Sequence, residues 1–228
     1  MIISCAAGLS AGGSASFSAP AASPPDSERL DRRAAEAIDA LPQPGDTTGI
    51  IHLTAQLIDR NLPTDESELA PISVRDAVQL SVLAQHPAAR DLALLSIDRD
   101  TASQHLALWQ AVVRSSPAYG ADMPLYLAGM AAWVSGDGAS ATVALDRIQR
   151  ADPRPESRHP SVLLEGLIDR VVPPSSWSSL RDALLADADP AISNALEAPA
   201  RRRWAPITTP LGEPQPDHEA RRPPSPGI

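Results

Sequence analysis

The chain contains no lysine; all 19 of its basic residues are arginine. A Walker-type phosphate loop is therefore excluded, because that loop needs a lysine to reach the nucleotide phosphates. The single cysteine, Cys5, excludes an internal disulfide framework and any cysteine-rich zinc site. Aromatic residues make up only 3 % of the chain, while alanine is abundant. No apolar run approaches the roughly 20 residues that a bilayer-spanning helix requires, so no membrane partner is expected. The opening MIISCAAG lacks a basic flank and a sustained apolar stretch, which leaves the cytoplasm as the expected location. The formal charge of −9 argues against a general nucleic-acid or anionic-membrane binder. The acidic excess belongs to the middle of the chain, since residues 201–228 hold five arginines against three acids.

The stretch from Pro124 to Pro153, PLYLAGMAAWVSGDGASATVALDRIQRADP, is the most organised part of what remains. Leu125 to Val134 is almost entirely apolar and reads as a helix buried on most of its circumference. Gly136 stands where a left-handed C-terminal cap is wanted, and Asp137 where a side-chain oxygen caps a following helix. With Gly138 they form the expected structural turn. Ala141, Ala144, Leu145 and Ile148 recur at helical spacing, with Asp146, Arg147, Gln149 and Arg150 outward. Asp152-Pro153 closes this helical hairpin, because a residue preceding proline avoids the α region.

The rest of the chain divides around that hairpin. Residues 1–25 are uncharged and rich in Gly, Ser, Ala and Pro, which predicts a disordered leader. An α-helical domain is expected over 26–198. Its first stripe is Leu30, Ala34, Ala37, Ile38 and Leu41, with Ser27 as a cap. The next comprises Ile50 or Ile51, Thr54, Leu57 and Ile58, followed by an acidic linker at Asp65, Glu66 and Glu68. Ser73 opens a helix with Val74, Ala77, Val78 and Val82 inward. The segment ARDLALLSI fits a helix or a buried strand, with composition favouring helix. Leu106, Trp109, Val112 and Val113 form the stripe of the helix before the hairpin, which Pro117 ends ahead of a loop with Tyr119 and Gly120. After a loop at Arg154–His159, an apolar helix carries Val162, Leu163, Leu164, Leu167, Ile168 and Val171, which Pro173-Pro174 stops. A last helix then holds Trp177, Leu180, Leu184 and Leu185. Residues 199–228 read as a disordered Arg/Pro-rich tail. With no strand alternation, the fold class is all-α: a helical bundle of antiparallel hairpins.

VRDA (Val74–Ala77), LALWQAVVR (Leu106–Arg114), the hairpin and VVPPSSW (Val171–Trp177) together resemble the actinobacterial domain of unknown function 4192 family. The likeness covers roughly Ser73 to Leu185, and the Gly-Asp-Gly turn is its most specific part. It implies the helical C-terminal half of that family, without the α/β half that full members carry first, and it implies no activity. The family's tyrosine after Asp-Pro has no counterpart here. The hairpin is also tetratricopeptide-like, although the spacing of Trp109, Trp133 and Trp177 does not follow the 34-residue repeat of such arrays.

The search for chemistry yields few groups. His52, His86, His105 and His159 are scattered, with no His-Glu-x-x-His, so no metal is expected. No G-x-S-x-G nucleophile motif is present, and no cofactor is implied. The paired carboxylates Asp98/Asp100 and Asp187/Asp189 fall at helix ends, where solvated charge is their simplest reading. Candidate interaction residues are Trp177 and the cluster Arg201, Arg202, Arg203 and Trp204, since Trp and Arg are enriched at protein hot spots. Trp109 and Trp133 are expected in the core, and Trp177 nearer the surface. The chain therefore reads as a non-enzymatic helical module that binds a protein partner. The alternative is an accessory fragment, or remnant, of an enzyme whose α/β half is missing.

Overall fold

Short polar side chains at the Pro- and Gly-rich breaks decide where the helices begin. The computed structural model describes residues 35–62, 72–115, 121–151 and 160–204, together with Arg32, and places side chains through Glu197. After α1 (residues 35–39), Asp46 accepts a 2.9 Å hydrogen bond from Gly49 N–H and opens α2 (Thr47–Asn61). Ser73 Oγ accepts one of 3.0 Å from Asp76 N–H and opens α3 (Val74–Leu83). Pro87 sits in the first turn of α4 (Pro87–Leu95), where its missing N–H removes no helical bond. The segment ARDLALLSI is thus helical. There follow α5 (Ala102–Ser115), α6 (Asp122–Ser135), α7 (Gly138–Ala151), α8 (Ser161–Asp169), a 3₁₀ turn (Pro174–Ser176), α9 (Trp177–Ala186) and α10 (Pro190–Trp204). Among the described residues there is no strand, and the fold is all-α.

The centre is α6, whose residues from Met123 through Val134 are all buried. It packs between α5 and α7, with α3, α4 and α8 completing its surround. Gly129 is what lets α7 and α8 come close. A β-carbon there would stand 2.7 Å from Leu164 Cδ2 and 3.1 Å from Ala144 Cβ. At the end of α6, Gly136 takes the left-handed conformation (φ 91°), while its N–H donates to the Trp133 carbonyl and Asp137 N–H to the Ala132 carbonyl. Asp137 Oδ1 then accepts from Ser140 N–H at 3.0 Å, and α7 starts at once. Arg60 and Asn61 at the end of α2 both reach Asp76 at the start of α3, at 2.8 and 3.2 Å, which joins that pair of helices at one end.

The structure departs from the sequence expectations in five places, the first on α1, where Ile38 of the expected stripe is 39 % exposed. On α3 the core face is Ala77, Leu80 and Leu83; Val74 and Val82 are half-buried and, with Val78, pack towards Ala37 of α1 instead. On α8, Leu164 and Leu167 are buried and Leu163 and Ile168 pack half-buried against the core, whereas Val162 is 58 % exposed and Val171, just past the helix, 84 % exposed. A helix lying on the outside of the hairpin buries one narrow stripe. Trp177 is not near the surface: at 1 % exposure it belongs to the same core as Trp109 and Trp133. The reason is the Pro174–Ser176 turn, which folds the start of α9 inward. Finally, α9 is not the last helix, because α10 follows and continues to Trp204, past the boundary expected at residue 198. Ile192 and Leu196, one turn apart, face α2 and α4. Proline in a helix removes one hydrogen bond, and Pro199 does not end α10.

Cys5 and the leader 1–25, Ser27 to Leu30, Ala34, Asp65, Glu66 and Glu68, Pro117 to Gly120, Asp152 to His159 and the chain from residue 205 lie outside the described residues.

Candidate functional site

An α-helix leaves its last carbonyl groups without partners of its own. Two side chains of α9, one turn apart, donate to carbonyls at the end of α4 and just beyond it. Trp177 Nε1 donates to the Ile97 carbonyl at 2.8 Å, and Arg181 Nε donates to the Leu95 carbonyl at 2.6 Å. The guanidinium also sits at the negative end of the α4 dipole. Its Nη1 lies 3.6 Å from Asp98 Oδ2. Asp98 is positioned in turn by Asp100, whose N–H donates to its Oδ1 at 3.2 Å. The start of α9 is thereby fixed across the turn between α4 and α5.

Beside this clasp is a half-open cleft of about 400 Å³, where α2, the α4–α5 turn, α9 and α10 converge. One wall is apolar: Ala55, Ile58 and Leu62 come from α2 and its end, Leu92 from α4, and Ala195 and Leu196 from α10. The polar lining consists of Asp59, next to Ile58 on α2, together with Asp98, Asp100, Ser96, Thr101 and Arg181. His105, one turn into α5, also lines it and is 1 % exposed. Among the described side chains, three carboxylates line the cleft against one guanidinium. Solvent moderates that charge, since the Asp98 side chain is 52 % exposed. The arrangement suits a cation carried on an apolar stem: the head meets carboxylates while the stem lies on the α2–α10 wall. Among the described residues, no group of three or more His, Cys, Asp and Glu is placed to hold a metal ion.

The residues singled out from the sequence are dispersed rather than gathered here. Gly136, Asp137 and Gly138 form the turn between α6 and α7, and none of them lines the cleft. Trp177 is in the core and takes part only by anchoring α9. Arg201, Arg202, Arg203 and Trp204 end α10, and their side chains lie outside the described residues. Asp98, Asp100 and His105 do meet in the cleft, as their proximity in sequence allowed. Asp59 and Arg181 carried no signal, because only the packing of α2 and α9 brings them to the same place. A second groove, of about 550 Å³, lies between α1 and the α3–α4 junction, lined by Ile38, Leu41, Ile50 and Leu83 and edged by Pro42, Pro44 and Pro87. Its lining is mostly apolar, whereas the first cleft gathers the charge.

No helix among the described residues is long and apolar enough to cross a membrane. No curated protein and no solved structure matches the chain. The family model of a domain of unknown function, DUF4192, matches residues 11–175. That match begins well before the motif-bearing stretch from Ser73, and it ends within the 3₁₀ turn, just ahead of α9. Since it spans most of the sequence, the chain belongs to the DUF4192 family.

Proposed function

We propose that this chain is a non-enzymatic helical module that binds a protein partner, and that the cleft between α2, α4, α9 and α10 is its binding surface. The observation that carries this reading is the pairing of an apolar lining with the carboxylates of Asp98 and Asp100. A basic side chain on an apolar stem, arginine or lysine, satisfies both halves at once. A phosphate backbone would be repelled by the same carboxylates, so the partner is a protein with a basic element rather than a nucleic acid.

The test is affinity capture with the whole chain as bait, run beside the double variant Asp98→Asn/Asp100→Asn. A partner retained in stoichiometric amount by the wild type, lost from the variant and released by moderate salt supports the reading. A partner held equally by both proteins would place the binding surface elsewhere and overturn it.

A further inference from the structure

Two helices joined by about two to five residues usually lie against each other as a hairpin. The last two helices of this chain depart from that pattern. Asp187, Ala188 and Asp189 alone separate α9 from α10, yet the main packing of α10 is on α2 and α4, from the first half of the chain. The helix also starts afresh, because Asp189 Oδ1 accepts a 2.8 Å hydrogen bond from Ala191 N–H and Pro190 stands first in it. Its seat is a small apolar group separate from the main core: Ile51 of α2, Leu92 and Leu95 of α4, and Ile192 of α10. Leu184 and Leu185 of α9 are half-buried at the border of that group. Among the α10 side chains that are described, Ile192 is the buried one. The helix is thus a unit with its own cap and its own seat, held to the rest of the chain by three residues.

We propose that α10 is exchanged between two copies of this chain, each copy laying its α10 on the α2–α4 face of the other. The occupant that fits this face is already seated on it, and a second copy presents the identical helix. Every contact of the closed monomer is therefore reformed in the pair, and no new complementary surface is needed. What changes is the connection. Asp187 and Asp189 are exposed, so straightening the joint uncovers little. Asp189 precedes Pro190, and a residue before proline favours the extended conformation. The proline also keeps α9 and α10 from fusing into one helix. Three extended residues span roughly 10 Å, which leads α10 off its own body and onto a neighbour. A joint this short, ahead of a helix that seats away from its predecessor, is the kind of hinge that favours exchange. In the exchanged pair the second copy supplies the α10 wall of the cleft, so that site is built from two chains. The exchange holds whatever the cleft binds.

The test is the association state of the full chain, followed by sedimentation velocity over a concentration series reaching roughly 1 mM, the effective concentration of a segment on a short tether. A dimer should grow in across the series. Ile192→Glu spoils the seating of α10 on either copy and should reduce that dimer at least ~10-fold. A wild type that stays monomeric throughout, or a dimer that persists in Ile192→Glu, overturns the proposal. Exchange itself is read by mixing two defective chains. Ile192→Glu keeps a sound α2–α4 face, whereas Ile51→Glu keeps a sound α10. Neither should dimerise alone, and together they should form a one-to-one heterodimer through a single exchanged helix. If Ile51→Glu loses its helical circular dichroism, Ala55→Glu at the half-buried edge of the same seat replaces it in the mixture. Absence of the heterodimer overturns the proposal. A further variant leaves the core untouched: about five Gly and Ser residues inserted between Ala188 and Asp189 let α10 return to its own copy, and should lower the dimer fraction several-fold. An unchanged fraction would mean that copies meet through another surface, which overturns exchange while the capture experiment with the aspartate variant stands on its own.

Discussion

Trp133 and Trp177 meet edge to face in the core, with ring centroids 6.3 Å apart and planes at 87°. One ends the central helix α6 and the other begins α9, so this contact sutures the C-terminal helices to the hairpin. The geometry is the one that the aromatic quadrupole favours. The second tie is the bond from Trp177 Nε1 to the Ile97 carbonyl. Trp109 provides the contrast, because its Nε1 is buried and has no hydrogen-bond partner among the described residues.

The two rings should therefore respond differently to the same change. Replacing either Trp109 or Trp177 by alanine removes a buried ring and should cost about 3–5 kcal/mol. Replacement by phenylalanine separates them. In Trp177→Phe the Ile97 carbonyl loses its donor and the cost should exceed that of Trp109→Phe, which removes an unsatisfied donor, by about 1 kcal/mol. Denaturant midpoints of the four variants at unchanged m-value decide the matter. Equal costs for the two phenylalanine variants would show that the Trp177 hydrogen bond adds nothing.

The two left-handed helix ends offer a pair of opposite expectations. Both α6 and α8 close with the same pattern of hydrogen bonds, around Gly136 at φ 91° and around Val171 at φ 51°. Glycine adopts that conformation without penalty, whereas a β-branched residue is strained there. Val171 is 84 % exposed, so its side chain offers little packing in return. Val171→Gly should stabilise the protein by about 1 kcal/mol, and Gly136→Val should destabilise it by at least as much. For a domain of this size the shifts in melting temperature are about 2–4 °C per kcal/mol. A lower melting temperature in Val171→Gly would refute the assignment of strain.

Much of this architecture is legible in the sequence, and the exceptions share a cause. The burial of α6, the stripe of α7, the Ser73 cap and the left-handed Gly136 all follow from local rules of periodicity and capping. Val171 breaks such a rule, since nothing local announces a left-handed valine. The burial of Trp177 depends on where the Pro174–Ser176 turn directs it and on a carbonyl eighty positions away. The extent of α10 was obscured by Pro199, a residue that usually marks a boundary. In the cleft, the Asp98/Asp100 pair is visible as a pair, whereas Asp59 and Arg181 join it only through helix packing. Local rules read the elements; the site is made where four of them meet.

Glycine in a helix is normally a weakness, and two of the helical glycines, Gly129 and Gly166, should show when it is not. Alanine raises helix propensity by about 1 kcal/mol at either position. At Gly166 a β-carbon meets nothing within 4 Å among the described residues, so Gly166→Ala should stabilise by up to that amount. At Gly129 the same atom would press on Leu164, which is 0 % exposed, and on Ala144, also 0 % exposed. Overpacking of this kind costs about 1–3 kcal/mol, so Gly129→Ala should be net destabilising. Thermal melts with changes of the same sign at both sites would mean that α7 and α8 do not hold α6 as closely as described.

The absence of lysine makes one further measurement unusually clean. Between about pH 9 and 11 most proteins titrate lysines and tyrosines together, but this chain has two tyrosines, one cysteine and no lysine. Tyr126 is 1 % exposed, and burial drives its hydroxyl well above the ordinary tyrosine value; the nearby Arg90 opposes that rise and Asp91 adds to it. Because the folded-state value is raised, folding favours the neutral phenol, and the associated stability is fully present below the unfolded value of about 10. Above that pH the unfolded chain releases a proton that the folded chain keeps. Stability should then fall by about 1.4 kcal/mol per pH unit until Tyr126 itself ionises or the protein unfolds. In a Cys5→Ser background, which removes the thiol, unfolding free energies measured across this range should show that slope in the wild type. In Tyr126→Phe, which keeps the ring and loses the titrating group, the slope should shrink markedly. The same alkaline slope in both proteins would assign it to another group and contradict the burial of the Tyr126 hydroxyl.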